Sequence, residues 1–466
     1  MSIYKPCDIR GSATQELTPA LYRSWGHTLG SRVEPAEKFV VGGDVRGSTP
    51  EFLAALVAGL CDAGLDVVDL GMLPTPMIYH ARRRLAAAGC AIVTASHNPA
   101  DVNGLKWMVG DRPPTEDEVD ALRERAEDPG SPPPSRSRTE PRSLDVSFDY
   151  VAWLQETWMD ALSSQRHVVL DPMHGCFARR ARRYLQAVFP QCLVSAVHDE
   201  REATFAGRTP DCARPQLLGE LCDAVDQQRA HLGIAFDGDG DRLALVDDQA
   251  VALTAEEATW CMLQTFGSQL QGERFVYDLK FSDRVPQAAE QLGAEPLAER
   301  SGHAFIRARM LETDALFGAE ISGHYFFRAL QGGDDALFAA CRLIAYLADS
   351  GKTLSELREG CPAIFITPDL RLAMAPQDQK IVLDRIRTAW SEHPQTTLDG
   401  VRIDFPDGWA LIRSSVTESA LTFRFEAADG HWLDELIRRF CEALSGVGGE
   451  LWSTYQAATG RGFQCG

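Results

Sequence analysis

No stretch of this chain offers about 18 consecutive apolar residues, which argues against a membrane-spanning helix. The opening segment Met1-Ser2-Ile3-Tyr4-Lys5-Pro6 has no apolar core before Asp8 and Arg10, so no secretory leader is expected. The 12 cysteines include no Cys-x-x-Cys pair and no group with zinc-ligand spacing. They sit in apolar contexts such as Leu60-Cys61 and Trp260-Cys261-Met262, where a free thiol packs as a small core residue. A reducing, cytoplasmic setting is therefore expected. Positive charge is also scarce: 46 Lys and Arg stand against 66 Asp and Glu, for a formal charge of −20. Such a surface repels nucleic acid and anionic lipid, so neither is an expected partner. Any phosphate-bearing ligand must be small and met by a local basic pocket.

What is present is ordinary globular composition, 45% hydrophobic and 24% charged, over 466 residues. At roughly 150 residues per domain that predicts about three domains. Strands and helices alternate from the start. Strands are expected at Lys38–Gly42, Asp66–Leu70 and Cys90–Thr94, and helices at Thr49–Ala63 (capped by Thr49-Pro50-Glu51) and Pro76–Leu85. The Pro/Ser/Arg-rich stretch 128–147 reads as linker with little to pack into a core. The alternation restarts with a strand at His167–Leu170, a helix at Phe177–Phe189 and a strand at His231–Phe236. A third round has a helix at Ala255–Gln269, a strand at Arg274–Asp278 and a helix at Ala336–Asp349. After Cys361-Pro362 come shorter strands, Leu370–Met374, Trp409–Ser414 and Leu421–Glu426, with helices at Gln379–Ser391 and Trp432–Leu444. Three similar α/β rounds followed by a different unit indicate four domains.

The sharpest chemical signal is Asp237-Gly238-Asp239-Gly240-Asp241-Arg242 between two apolar strands. Three carboxylates at alternate positions can turn their oxygens onto one hard cation, and Gly238 and Gly240 permit the curvature. An EF-hand is excluded, because Arg242 stands where its glycine belongs and Asp248 where its glutamate belongs. A solvated acidic turn is the alternative. Three protein ligands leave room for Mg²⁺ to hold a phosphate oxygen, with Arg242 as a fork for the same phosphate. A second segment, Thr94-Ala95-Ser96-His97-Asn98-Pro99 with Lys106 beyond, places Ser96 at a strand's C-terminal end, where α/β sheets bind ligands. Ser96 reads as a nucleophile or phosphate carrier, or as part of an ordinary Ser/Asn turn. A serine hydrolase is disfavoured, since Gly-x-Ser-x-Gly is absent and His97 is not expected to reach its neighbour's hydroxyl. In Gly318-Ala319-Glu320-Ile321-Ser322-Gly323-His324, the alternating Glu320, Ser322 and His324 are expected to project together from an extended loop. That set suits sugar hydroxyls; a buried polar strand edge is the alternative. Arg413-Ser414-Ser415-Val416-Thr417 can grip a phosphate dianion or form a plain turn.

In this order the four segments resemble the α-D-phosphohexomutase superfamily, most closely its bacterial phosphomannomutase/phosphoglucomutase branch. Asp8-Ile9-Arg10-Gly11, Gly43-Asp44-Val45-Arg46, Pro74-Thr75-Pro76, Asp278-Leu279-Lys280 and Gly302-His303 add to the likeness, which covers essentially the whole chain. The resemblance implies an α/β fold with four domains around a central cleft: three related α/β domains with mixed sheets plus a C-terminal α+β domain of different topology. Expected boundaries are 1–147, 148–252, 253–366 and 367–466. It implies interconversion of hexose 1-phosphate and hexose 6-phosphate through phosphoserine 96 and a hexose 1,6-bisphosphate that serves as intermediate and activator. One Mg²⁺ per site would be held by Ser96, Asp237, Asp239 and Asp241. Ser96, Arg10, His97, Lys106, Arg242 and His324 are the implied catalytic set. Lys280, His303, Glu320, Ser322, His324, Arg413, Ser415, Val416 and Thr417 are the implied substrate-binding set. Arg10, Lys106, Arg242, Lys280, His303 and Arg413 must converge if an acidic protein is to hold a doubly anionic sugar. Lys106, Arg10 and His324 are candidates for the hydroxyl proton. Two departures stand out: Cys7 where the family usually has tyrosine, and Val416 where it usually has asparagine. A phosphoglucosamine mutase and a non-catalytic sugar-phosphate-binding relative are the alternatives. A monomer is expected, with a weak homodimer as the other arrangement.

Overall fold

The strands that read as unbroken apolar runs are buried on both faces, as parallel strands between helical layers must be. The computed structural model describes residues 2–127, 138–159, 165–415, 419–444 and 446–459. Its first sheet is mixed and six-stranded, in the order Ile9–Ser12, Val102–Val109, Gly89–Val93, Lys38–Gly43, Asp66–Met72, Arg142–Ser143. The second sheet runs Leu243–Val246, Leu232–Phe236, His167–Asp171, Leu193–Ala196, with only its first pair antiparallel. The third runs Glu295–Glu299, Arg274–Asp278, Phe317–Ala319, Tyr325–Phe327, Gly333–Asp334 and changes from parallel to antiparallel at Phe317–Ala319. The fourth is antiparallel throughout, built around Gly408–Ser414 and Ala420–Ala427. The expected architecture of three mixed α/β sheets and a different C-terminal unit is thus the observed one. No described helix is long and apolar enough to cross a membrane, and the described cysteines are all free.

One apolar core runs through the first three units, from Val40 and Tyr79 through Leu170 and Phe236 to Phe275, Phe327 and Leu337. The fourth has its own core around Leu370, Ile403, Ile412, Phe423 and Phe440. It meets the third through Leu279 against Trp409 and Leu411. Polar contacts add to that seam: Arg424 on Glu256 at 2.7 Å and Ser282 donating to Glu426 at 2.6 Å.

Several local expectations are corrected. Of the 128–147 linker, residues 128–137 lie outside the described residues, and the remainder is docked. Arg142–Ser143 extends the first sheet, Thr139 bonds the Cys61 and Leu65 carbonyls, and Val146 is buried. The helix expected at Phe177–Phe189 begins only at Ala181, because Phe177 turns inward onto Phe236 while the preceding turn wraps the aspartate loop. The helix from Ala255 ends at Gln264, and a 3-10 turn with Gly267 at φ +49 follows. Thr49 does not cap the helix Thr49–Asp62; its hydroxyl donates to Asp44 instead.

Candidate functional site

Ser96 lies just beyond the strand Gly89–Val93, fully buried, with φ +51. A left-handed non-glycine residue is strained, and here the strain aims the hydroxyl across a domain boundary. Ser96 Oγ donates to Asp237 Oδ2 at 2.7 Å. His97 Nδ1 lies 3.3 Å from the same oxygen, so the neighbouring imidazole does reach the hydroxyl, against expectation. The left-handed backbone at Ser96 is what brings the two adjacent side chains to one side.

The aspartate loop joins Leu232–Phe236 to Leu243–Val246. Asp237 Oδ1 accepts from the backbone N–H groups of Gly240, Asp241 and Arg242, which fixes the turn. At Gly238 the need is space, since a Cβ there would meet the Ser96 carbonyl oxygen at 2.6 Å. Asp239 Oδ2 accepts from Thr75 Oγ1 at 2.8 Å and from Lys106 Nζ at 2.9 Å, and Asp241 Oδ2 lies 2.5 Å from the same ammonium. One oxygen on each of Asp239 and Asp241 is buried without a hydrogen-bond partner, and oxygens of all three aspartates fall within 4.8 Å of one another. This is a donor set for a hard divalent cation, in which orphaned carboxylate oxygens become ligands.

Charge decides which groups can move protons. Burial, then the negative Asp239 and Asp241, push the Asp237 carboxyl above the ordinary range. Burial opposes the Lys106 ammonium, but Asp239 and Asp241 outweigh it and raise its pKa, which leaves Lys106 a locked cation. Burial also opposes Arg242, and Asp237 and Asp211 outweigh it in the same way. His97 is pushed well below its usual value by burial and then by Arg242 and Arg10. His303 falls to about 4 through burial and then Lys106. Both imidazoles are therefore neutral at pH 7.

Arg10 bonds Asp8 at 2.9 Å and the Ala95 carbonyl, next to Ser96, at 2.6 Å. Arg242 Nε donates to His324 Nε2 at 3.0 Å, and His324 Nδ1 lies 2.6 Å from Asp334 Oδ2. His303 stacks 5.9 Å from His324. The Glu320–His324 segment is a tight turn rather than an extended loop, because Gly323 (φ +94) closes it through bonds between Glu320 and His324 and between Gly323 and Glu320. His324 consequently points toward Asp241 and Arg242, while Ser322 donates to Glu320 at 2.9 Å. The other Glu320 oxygen is buried without a hydrogen-bond partner.

Ser96, His97, Lys106, the three aspartates, Arg10, Arg242, His303 and His324 thus come together. Lys280 and Arg413 are engaged elsewhere, with Asp369 at 2.6 Å and Asp399 at 2.7 Å. Ser415 pairs its backbone with Ala420, and Val416 and Thr417 lie outside the described residues. Cys7 is half-buried, and burial pushes its thiol up. Residues not anticipated include Asp334, Thr75 and Thr94. Thr75 meets Asp239 only once the first two units fold together, whereas Asp334 reaches His324 within the third unit and Thr94 bonds Asp44 and the Ser96 N–H within the first. Thr75 and Thr94 stand in segments the sequence singles out, but their roles are not signalled there.

Comparison with known proteins follows the same division of the chain. Family models of phosphoglucomutase/phosphomannomutase match in four parts: alpha/beta/alpha domain I over residues 2–130, domain II over 149–250, domain III over 248–365 and the C-terminal domain over 371–443. A phosphomannomutase/phosphoglucomutase of Pseudomonas aeruginosa is 32% identical over 459 residues, 97% of each chain. An Escherichia coli phosphomannomutase is 30% identical over 441 residues, 92% of this chain and 95% of the other. A crystal structure of a phosphoglucomutase/phosphomannomutase family protein from Burkholderia thailandensis superposes with a TM-score of 0.87 at 31% identity, covering 95% of this chain and 98% of that one.

Proposed function

This chain belongs to the phosphoglucomutase/phosphomannomutase family, and from that premise we propose that it interconverts the 1- and 6-phosphates of glucose or mannose through a phosphate carried on Ser96. The observation that carries this reading is the 2.7 Å bond from the Ser96 hydroxyl to Asp237, a residue of the second sheet's loop. A plain turn has no need to bury a serine hydroxyl against three acids of another domain.

In the first half-reaction a sugar hydroxyl oxygen forms a bond to phosphorus as the bond from phosphorus to Ser96 Oγ breaks, which yields a hexose 1,6-bisphosphate. The sugar hydroxyl loses its proton and Ser96 Oγ gains one as it departs, so the net proton transfer runs from sugar to serine. Neutral His97, with Nδ1 3.3 Å from Ser96 Oγ, is placed to relay it, and Lys106, held as a cation, is not. Lys106 and Arg242 act as fixed positive charge around the transferring phosphoryl group, where positioning and charge stabilisation supply most of the rate. The bisphosphate then turns in the cleft and gives its other phosphate back to Ser96. Asp237, Asp239 and Asp241 would hold Mg²⁺, with Ser96 or its phosphate as a further ligand. The ion supplies Lewis-acid stabilisation of phosphate charge. Glu320 and Ser322 offer acceptors and a donor for sugar hydroxyls, Arg413, Ser415 and Thr417 are assigned to the non-reacting phosphate, and Lys280 and Val416 to substrate binding more generally.

The test is turnover of glucose 1-phosphate, mannose 1-phosphate and glucosamine 1-phosphate with Mg²⁺ and catalytic bisphosphate. We expect activity on the first two, lost on the order of a thousandfold or more in a folded Ser96→Ala variant. Undiminished turnover in that variant removes Ser96 from the mechanism, and turnover of glucosamine 1-phosphate alone reassigns the substrate.

A further inference from the structure

The Gly43-Asp44-Val45-Arg46 segment has no part in the chemistry above, yet it holds a fully buried ion pair, with neither side chain exposed. Arg46 Nε donates to Asp44 Oδ2 at 2.9 Å. One terminal nitrogen donates to the carbonyls of Ser96 at 2.8 Å and Asn98 at 2.7 Å, and the other donates to the carbonyl of Pro99. The guanidinium sits 4.9 Å from the centre of the Phe205 ring, between the serine loop and the second unit. Asp44 is held in turn: its Oδ1 accepts from the Arg46 N–H at 3.0 Å and Thr49 Oγ1 at 2.8 Å, and its Oδ2 from Thr94 Oγ1 at 2.8 Å. Thr94 Oγ1 then accepts from the Ser96 N–H at 2.9 Å.

Resting on the reading of Ser96 as phosphate carrier, we propose that Arg46, braced by Asp44 and Thr94, is a positioning residue that holds Ser96 in its left-handed conformation. That conformation is strained for a non-glycine residue and persists only where its surroundings over-determine it. Three carbonyls bound by one planar fork, together with the Ser96 N–H bound by Thr94, supply that over-determination on both sides of the hydroxyl. A lysine keeps the charge but is a single point donor and cannot span three carbonyls and a carboxylate. Displacing a reacting group by about 1 Å costs on the order of a hundredfold in rate. Arg46 touches neither the sugar nor the phosphate in this scheme, so its effect reaches the reaction through Ser96.

The experiment compares Arg46→Lys, Thr94→Val and Thr94→Ser in the full chain by kcat, KM and hydrogen–deuterium exchange. Arg46→Lys is expected to lower kcat about a hundredfold with little change in KM, and to speed exchange in residues 96–101 while the strand Gly89–Val93 stays protected. Thr94→Val is expected to lose kcat in the same direction, and Thr94→Ser to recover most of that loss. A folded Arg46→Lys variant with wild-type kcat and unchanged loop exchange overturns the proposal, as does a loss confined to KM. If Arg46→Lys does not fold, equal loop exchange in Thr94→Val and Thr94→Ser overturns it, a readout that the 3.2 Å contact of Thr94 Oγ1 with Asp239 does not supply. Should the wild-type chain show no mutase turnover, the functional reading fails, and loop exchange in the Thr94 pair decides the clamp separately: equal exchange overturns it.

Discussion

Asp237 divides the work between its two oxygens, gathering three backbone N–H groups on Oδ1 and the Ser96 hydroxyl on Oδ2. Asp239 has a different balance: Thr75 and Lys106 share one oxygen, and the other is left for a ligand. Asp239→Asn removes a charge from the cation site and not from the sugar site. We therefore expect kcat to fall by about a hundredfold with KM nearly unchanged, measured by steady-state kinetics over a Mg²⁺ series; a change in KM alone contradicts the assignment. Away from the cleft, His198 lies between Asp171 at 3.0 Å and Glu220 at 2.9 Å. The hydrogen bond to Asp171 raises the imidazole pKa against the opposing effect of burial. A raised histidine pKa means the folded state binds the proton more tightly. The stabilisation is complete below the unfolded value of about 6.5 and is lost as pH rises through the folded value. Urea unfolding should show His198→Gln costing more stability at about pH 5.5 than at about pH 9.

The helices and strands that the sequence reveals most clearly are those with one-sided apolar periodicity or unbroken apolar runs. Arg274–Asp278 is found as expected, and Lys38–Gly43 and Thr49–Asp62 lie within a residue of expectation. The helix Pro19–Ser31 was not anticipated, although Thr18 caps it through Leu21 and Pro19 opens it. Beside its stripe of Tyr22, Trp25 and Leu29 stand Gly26, where the Leu56 carbonyl of the helix Thr49–Asp62 leaves no room for a side chain, and Gly30, where Ala63 just past that helix does the same. Turns were read less well, because their shape depends on distant partners. The Glu320–His324 turn is an example: a Cβ on Gly323 would meet the Leu243 carbonyl oxygen at 2.6 Å, on a strand of another sheet. Gly323→Ala is expected to destabilise by about 1–3 kcal/mol and to lower kcat by shifting His324 away from Arg242. Denaturant unfolding and kinetics on the same variant check both; an unchanged midpoint contradicts the account of the turn.

Across the whole molecule, a chain of formal charge −20 gathers Arg10, Lys106 and Arg242 around one buried serine. The three motif segments that meet at this site, around Ser96, Asp237–Asp241 and His324, were legible because each needs particular residue types at fixed local spacing. Its second ring was not: Asp334 reaches His324 from its own short strand, and Thr75 reaches Asp239 from 164 residues away. The continuous core of the first three units and the separate core of the fourth predict two calorimetric transitions, the smaller belonging to the C-terminal unit. One transition with equal calorimetric and van't Hoff enthalpies contradicts that division. The central claim is that a serine from the first unit carries phosphate beside acids of the second. Its most direct test is peptide mass spectrometry of the protein charged with glucose 1,6-bisphosphate and then chased with hexose 6-phosphate. The account predicts one phosphoryl group on Ser96 that passes into sugar during the chase. An active enzyme whose Ser96 stays unmodified, or whose phosphate resides on another residue, contradicts it.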